Sequence, residues 1–337
     1  MKFLRFLLYP FAIIYDVVTT IRNFFFDVGI FKQTSFKTPV IVVGNLSIGG
    51  TGKTPQIEYL IRLLKDSFKT SVLSRGYKRK TAGFILLNAL HSAEDVGDEP
   101  LQYFKKFNKI SVAVAADRVQ GVTKLIAEKS PEVILLDDAY QHRKIKGSLY
   151  ILLTKYDTLF SNDFLLPTGN LRESRRGASR ADVILVTKCP INLTEVAKHK
   201  IIERLKKYNK KVFFTVISYN KETSGSKTIL VDDLKNYAVL LITGIANPTP
   251  LLSFLIENKV NFKHLKFPDH HHFTNNEIAK IKEEYLGLHS SEKFILTTEK
   301  DYVRLESRLE DLSFLGIQTS FLEDQEAFNS IIKNHIK

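Results

Sequence analysis

An α/β fold with a mostly parallel sheet, split into a larger first lobe and a smaller second lobe behind an N-terminal helix, is what this sequence predicts. Three observations carry that expectation. Short apolar runs alternate with helix-length segments along most of the chain. A glycine-rich loop stands between the first of these runs and a helix. A polar stretch at 218–227 separates one strand–helix series from another. Apolar strands joined by helices argue for a parallel sheet covered on both faces.

The first thirty residues are apolar and aromatic, interrupted by Arg5, Asp16 and Arg22. A membrane-crossing helix takes about 18 or more mostly apolar residues, and no such run occurs here. No small-residue cleavage site follows, which argues against a secretory signal. Pro10 suits the first turn of a helix. Aromatic bulk with basic anchors suits a helix lying in a bilayer interface; the plainer alternative is a helix packed on the rest of the protein. The expected division is an interfacial helix over 1–30, a first lobe over 31–217, a linker over 218–236 and a second lobe over 237–337.

Val40-Ile41-Val42-Val43 reads as the first strand, and a helix is expected over 56–65. Between them lies Gly44-Asn45-Leu46-Ser47-Ile48-Gly49-Gly50-Thr51-Gly52-Lys53-Thr54-Pro55. Strand, glycine-rich loop, Gly52-Lys53-Thr54 and helix in that order describe a phosphate-binding loop, and so a P-loop NTPase-like α/β/α sandwich. Glycines let backbone N–H groups turn onto an anion, and the helix N-terminus adds partial positive charge. Lys53 reaches the outer phosphates and the Thr54 hydroxyl meets Mg2+. Gly49, Gly50, Thr51, Gly52, Lys53 and Thr54 are therefore the nucleotide-binding candidates. The first glycine of G-x-x-x-x-G-K-[ST] falls on Ser47, so Gly49 and Gly50 are expected to supply the turn instead.

Further strands are expected at 70–74, 83–87, 109–115, 132–136, 149–153 and 183–187, with helices at 101–107 and 118–129. Beyond the linker come a strand at 237–243, a helix at 251–258 opened by Asn247-Pro248-Thr249-Pro250, a strand at 262–267 and a helix at 275–285. A strand at 294–297 and a terminal helix from 326 complete the series. There is no internal repeat and no low-complexity tract.

Asp137-Asp138 follows the apolar run 133–136, the form of a strand end that holds Mg2+ opposite a phosphate loop. Thr54, Asp137 and Asp138 are the metal candidates; spacing does not choose between the two carboxylates. Gly97-Asp98-Glu99-Pro100 offers a second acidic pair. Asp98 would serve as general base for an alcohol, although a helix N-cap with Glu99 in the first turn is the commoner use of this pattern. His270-His271-His272 cannot converge on one metal easily, being adjacent. An imidazole placed beside the phosphate site, paired with Asp98 or Asp269, is the better functional use. The segment 167–176 concentrates arginines, of which Arg172 or Arg175 could clamp a phosphate; a solvated basic loop is the alternative.

Composition is that of a globular protein, 44% hydrophobic and 25% charged. The single cysteine, Cys189, excludes an internal disulfide and a cysteine-rich zinc site. Between Lys188 and Pro190 it has no motif that would make it a nucleophile. A net charge of +13 points to an anionic partner. Nucleic acid, an anionic membrane and a phosphorylated substrate all satisfy it. Scattered basic residues and a hydrophobic N-terminus argue against nucleic acid.

Taken together, these segments resemble the tetraacyldisaccharide 4'-kinase family, the lipid A 4'-kinases of Gram-negative bacteria. The matching pieces are 39–55, Ser74-Arg75-Gly76-Tyr77, Gly97-Asp98-Glu99-Pro100, Ala116-Asp117-Arg118 and Asp137-Asp138-Ala139-Tyr140-Gln141-His142. They continue in Leu166-Pro167-Thr168-Gly169-Asn170-Leu171-Arg172-Glu173, Arg180-Ala181-Asp182, Phe267-Pro268-Asp269-His270-His271 and Thr298-Glu299-Lys300-Asp301. One departure is Ala139-Tyr140, where the family usually shows Gly-Phe.

The resemblance implies transfer of the ATP γ-phosphate to the 4'-hydroxyl of a tetraacylated glucosamine disaccharide 1-phosphate. It implies two α/β/α lobes and an N-terminal helix at the cytoplasmic face of the inner membrane, a peripheral location. It assigns Asp98 as base with His270 assisting, Lys53 and Thr54 to the phosphates and Mg2+, and Asp137 and Asp138 beside the ion. Glu99, Arg118, Gln141, Arg172 and Glu173 become further site candidates. The expected partners are the acylated lipid and an anionic membrane surface, with no nucleic acid and no obligate protein partner. The rival expectation is a P-loop metallochaperone or regulatory NTPase.

Overall fold

The computed structural model describes residues 5–269 and 271–337. The chain opens with α1 (Tyr9–Asp27), then β1 (Val40–Asn45), α2 (Lys53–Leu64), β2 (Thr70–Ser74), β3 (Ile85–Leu86), α3 (Ala93–Val96), α4 (Asp98–Lys106) and β4 (Ser111–Val114). It continues through α5 (Arg118–Lys129), β5 (Val133–Asp137), β6 (Leu149–Lys155), β7 (Val183–Thr187), α6 (Glu195–Leu205) and β8 (Lys211–Tyr219). Then follow β9 (Ser224–Gly225), β10 (Ala238–Thr243), α7 (Thr249–Glu257), β11 (Asn261–Lys266), α8 (Asn275–Leu286) and β12 (Lys293–Thr298). The last elements are α9 (Glu299–Leu305), β13 (Leu312–Leu315), β14 (Ile317–Phe321) and α10 (Gln325–Ile336).

Two sheets result. The larger has the order β14-β8-β7-β6-β1-β5-β2-β4-β3 and the smaller β11-β10-β12-β13-β9. Pairing is parallel except at three edges, where β3, β14 and β9 run antiparallel to their neighbours. Parallel strands must be covered on both faces, and every residue of β1, β2, β5 and β7 is buried. Alternate residues serve opposite layers. Ile41 and Val43 pack with Ile57, Leu60 and Ile61 of α2, whereas Val40 and Val42 pack with Val122 and Leu125 of α5.

Several elements depart from expectation. The strand expected at 83–87 is reduced to two residues at the sheet edge. Helix α2 begins at Lys53 rather than 56, because left-handed Gly52 caps it and Pro55 is tolerated in a first turn. The largest difference is at the C-terminus. Residues 317–337, expected in the second lobe, return to the first: β14 pairs with β8, and Phe328 and Ile332 of α10 enter the core beneath α2. Tyr59, Phe213, Phe321 and Phe328 form the aromatic cluster that anchors them, with ring centroids 4.8 to 6.2 Å apart. Burial of these rings outweighs sequence distance.

Among the described residues no helix is long and apolar enough to cross a membrane. In α1 only Ala12 and Thr19 are buried.

Candidate active site

Strands β1 and β5 lie side by side with Val43 opposite Asp137. The loop leaving β1 and the acidic pair leaving β5 therefore emerge together at the carboxyl edge of the sheet, where α/β folds bind ligands. Gly49 and Gly52 have φ of 95° and 85°, which L side chains rarely adopt. Gly50 is not among the positive-φ glycines. Ser47 needs no such freedom, since it forms an antiparallel bridge to Leu171. The Ile48 N–H donates to the Asn170 carbonyl and the Arg172 N–H to the Leu46 carbonyl, each at 2.7 Å. The segment 170–172 thus braces the front of the loop, and the turn moves to Gly49. Asn45 Nδ2 donates to Thr51 Oγ1 at 2.6 Å, and Thr187 Oγ1 donates to the Thr51 carbonyl at 2.7 Å. A Cβ added at Gly44 would lie 2.6 Å from the Tyr140 Cβ, so glycine there admits the buried Tyr140. The phenol at the family's Phe position donates to the Gly177 carbonyl at 2.8 Å.

Asp138 has a left-handed φ of 49°, the kind of local strain that collects at functional sites. Its carboxylate meets Lys53 Nζ at 3.4 Å and Arg172 Nη1 at 3.1 Å. Burial raises the Asp138 carboxyl, but Lys53 and Arg172 outweigh burial and hold it below its ordinary value. Asp137 is enclosed. Burial, then the adjacent Asp138 charge, pushes its carboxyl up to about 6. Ser74 Oγ donates to it at 3.2 Å, and the Tyr103 hydroxyl of α4 lies 3.5 Å away. The Thr54 side chain lies near the same Tyr103 hydroxyl.

A hydroxyl from α2 and a buried carboxylate from β5 thus share one neighbour. That donor set fits Mg2+, which takes few protein ligands and fills its shell with water and phosphate oxygens. No group of three His, Cys, Asp or Glu side chains suited to a metal occurs among the described residues. The site therefore suits an ion that arrives with phosphates rather than an all-protein cage.

Gln141 links these parts. Its Nε2 donates to the Asn45 carbonyl at 2.7 Å and to Glu173 at 3.0 Å, and its Oε1 accepts from Arg172 at 3.3 Å. Buried Glu173 also accepts from Arg180 at 2.8 Å and from Asn23 of α1 at 2.9 Å. Helix α1 is fastened further by Tyr15 to the Arg172 carbonyl at 2.8 Å and Arg22 to the Gln141 carbonyl at 3.3 Å. Arg5 donates to the Pro167 carbonyl at 3.1 Å. The basic residues expected as interfacial anchors therefore turn inward, because the backbone carbonyls of two site loops lie beneath them.

Arg118 is also structural in its contacts. It is buried and donates to the Ala115 carbonyl at 2.7 Å. Burial lowers its guanidinium to about 10. Arg175 donates to the Asp163 carbonyl at 2.9 Å and stands apart from the Asp138 cluster.

Asp98 lies where the two sheets meet. The N-cap of α4 is Gly97 (φ 91°), Asp98 is the first helical residue, and no side chain caps this helix. A Cβ on Gly97 would come within 3.2 Å of the Gly76 Cα, so two glycine backbones seat 74–77 against this turn. Both oxygens of buried Asp98 accept from Arg304 of α9, each at 2.6 Å. Arg304 Nη1 also donates to the His271 carbonyl at 2.5 Å. Glu99 stands 3.8 Å from Lys300, which is 3.4 Å from Asp269. The His271 ring stacks on Phe267 and pairs with Glu277 at 2.9 Å, while His272 is exposed. His270 lies outside the described residues.

Asp98 and Tyr103 share α4, so one rigid helix joins the lobe-interface carboxylate to the Asp137–Thr54 end. Arg304, Tyr103, Arg180 and Asn23 were not readable as site residues. Two carried a signal: Arg180 opens Arg180-Ala181-Asp182, and Arg304 lies one helical turn beyond Thr298-Glu299-Lys300-Asp301.

The family model described as LpxK, tetraacyldisaccharide-1-P 4'-kinase, matches residues 4–337. The chain is 52% identical to the tetraacyldisaccharide 4'-kinase of Flavobacterium psychrophilum, over 100% of this chain and 98% of that protein. It is 50% identical to that of Flavobacterium johnsoniae over the same shares, and 42% identical to that of Bacteroides thetaiotaomicron over 98% and 93%. A crystal structure of LpxK from Aquifex aeolicus in complex with ATP is similar with a TM-score of 0.82 at 31% identity, covering 99% of this chain and 100% of that one.

Proposed function

The chain belongs to the tetraacyldisaccharide 4'-kinase family, and from that membership we propose how its own residues divide the transfer. The enzyme moves the γ-phosphate of ATP to the 4'-hydroxyl of a tetraacylated glucosamine disaccharide 1-phosphate in lipid A biosynthesis. Amide groups of Gly49 to Thr54 and the Lys53 ammonium receive the phosphates. Lys53 exchanges its Asp138 partner for phosphate oxygens, and Arg172 turns its charge to the same group. Thr54 and Asp137 would hold Mg2+, with Asp138 nearby; when bound, the ion would neutralise phosphate charge. Gln141 and Glu173 hold Arg172 and the loop in register. Asp98 accepts the proton of the 4'-hydroxyl, with His270 assisting. The 4'-oxygen bonds to the γ-phosphorus as the bond to the β,γ-bridging oxygen breaks, and ADP leaves with that electron pair.

What carries this is the pair of half-sites at the two ends of α4: the phosphate end at Tyr103, Thr54 and Asp137, and the acceptor end at Asp98. The working units are a first lobe of 31–217 completed by 317–337, and a second lobe from 237 that takes its edge strand β9 from the 218–236 segment. ADP release by the full-length enzyme should depend on the acylated disaccharide 1-phosphate. Equal release without acceptor would support a hydrolysing NTPase instead.

Helix α1 lies at the cytoplasmic face of the inner membrane, so acyl chains stay in the bilayer while the sugar reaches the cleft. Phe11, Ile14 and Val18 are 61%, 61% and 58% exposed on a helix whose polar side chains are engaged with the site loops. Unpaired apolar rows of this kind mark interaction surfaces, and the net charge of +13 suits an anionic leaflet. Replacing Phe11, Ile14 and Val18 together by Asp should sharply reduce co-sedimentation with anionic phospholipid vesicles and leave ATP affinity unchanged. Undiminished co-sedimentation would contradict the interfacial role.

A further inference from the structure

We propose that Arg304 is a positioning residue of the transfer, holding the Asp98 carboxylate and the His271 backbone carbonyl in one register across the two lobes. The inference rests on Asp98 as base and adds the group that aims it. One guanidinium makes three contacts. Its Nε and Nη2 grip the two Asp98 oxygens at 2.6 Å, and its Nη1 donates to the His271 carbonyl at 2.5 Å. The paired side chains are 11% and 2% exposed, so water does not compete for this fork. A bidentate arginine fixes the plane of a carboxylate as well as its distance.

The helix bearing Arg304 is itself pinned. Thr298 caps α9, and Asp301 accepts from Thr298 Oγ1 at 2.7 Å and from the Gly244 N–H at 2.8 Å. Lys106 of α4 meets Glu299 of α9 and Glu58 of α2, each at 2.7 Å. Arg304 therefore starts from a fixed place in the second lobe and reaches the first residue of α4 in the first lobe.

An ionised carboxylate has about four acceptor directions, and Arg304 uses two of them. An arginine fork therefore does not by itself bar a hydroxyl from donating to a carboxylate. Phosphoryl transfer depends more on alignment than on the strength of the base, so orientation by a cation is compatible with catalysis. Among the described residues, charged groups near this fork include Glu99, next to Asp98 on α4, Lys300 of α9, which meets Glu99 and Asp269, and the His271–Glu277 pair. Arg304 is the cation whose fork lies directly on both oxygens.

The test compares Arg304→Gln, Arg304→Lys and Asp98→Asn in the full-length enzyme, with thermal unfolding to verify folding. Arg304→Gln should lower kcat about 10–100-fold with the KM for ATP within about twofold, the loss expected from misalignment alone. The acid limb of its kcat–pH profile should move to higher pH, since a cation that favours the carboxylate has gone. Arg304→Lys keeps the charge, so it should keep the wild-type limb and recover part of the rate. Wild-type kcat and limb in Arg304→Gln, with Asp98→Asn inactive, would overturn the role of Arg304 alone. Equal rate loss in both Arg304 variants with an unmoved limb would reduce Arg304 to a structural contact and also overturn it. Wild-type transfer by Asp98→Asn would remove the base, and Arg304's role with it.

Discussion

Asp98→Asn is expected to bind ATP normally and to turn over about 10²–10⁴-fold more slowly, the range of general-base contributions. The substitution keeps the shape of a side chain that is 2% exposed and keeps one oxygen to accept from Arg304. It removes the capacity to take a proton. Arg304 then loses one charge-assisted partner, which should cost about 1–3 kcal/mol of stability. A lower melting temperature with intact nucleotide affinity is therefore part of the expected result. The checks are kcat at saturating ATP and acceptor, and equilibrium binding of the nucleotide. Turnover near the wild-type value would remove Asp98 as base whatever its contacts.

Lys53→Ala should fail differently, losing ATP affinity together with transfer. Loss of one preorganised charge aimed at the reacting group typically costs about 10²–10³-fold in turnover, and this lysine also serves ground-state binding. The fold should survive, because Asp138 retains Arg172 at 3.1 Å and the loop retains its Thr51 and Leu171 braces. Single-turnover transfer with ATP in excess separates the two losses. If Lys53→Ala matched wild type in both affinity and rate, the loop at 44–55 would not be the donor site.

Much of this site could be read from residue order because its chemistry is local. Lys53, Thr54, Asp137 and Asp138 follow strands whose apolar runs announce themselves, and the register of β1 with β5 brings the two ends together. Ser47 looked like a defect because a spacing rule assumes a free loop. The strand-like bridge to Leu171 removes the need for glycine there. What stayed hidden depends on contacts distant along the chain. No local pattern announces that α10 returns beneath α2, since its apolar face would suit either lobe. Arg22 looked like a break in an apolar helix, yet it and Asn23 turn toward Gln141 and Glu173. Gly97 takes the cap expected of Asp98, which leaves both Asp98 oxygens to a partner from the second lobe.

In the proposed arrangement one helix, α4, sets a phosphate donor at one end against a proton acceptor at the other. The most direct test is single-turnover transfer from γ-labelled ATP to a tetraacylated disaccharide 1-phosphate, by wild type and Asp98→Asn at equal nucleotide occupancy. Label is expected on the 4'-oxygen of the lipid with wild type, at a rate at least about 10²-fold lower with the variant. Equal labelling by both proteins, or release of label only as inorganic phosphate, would contradict it.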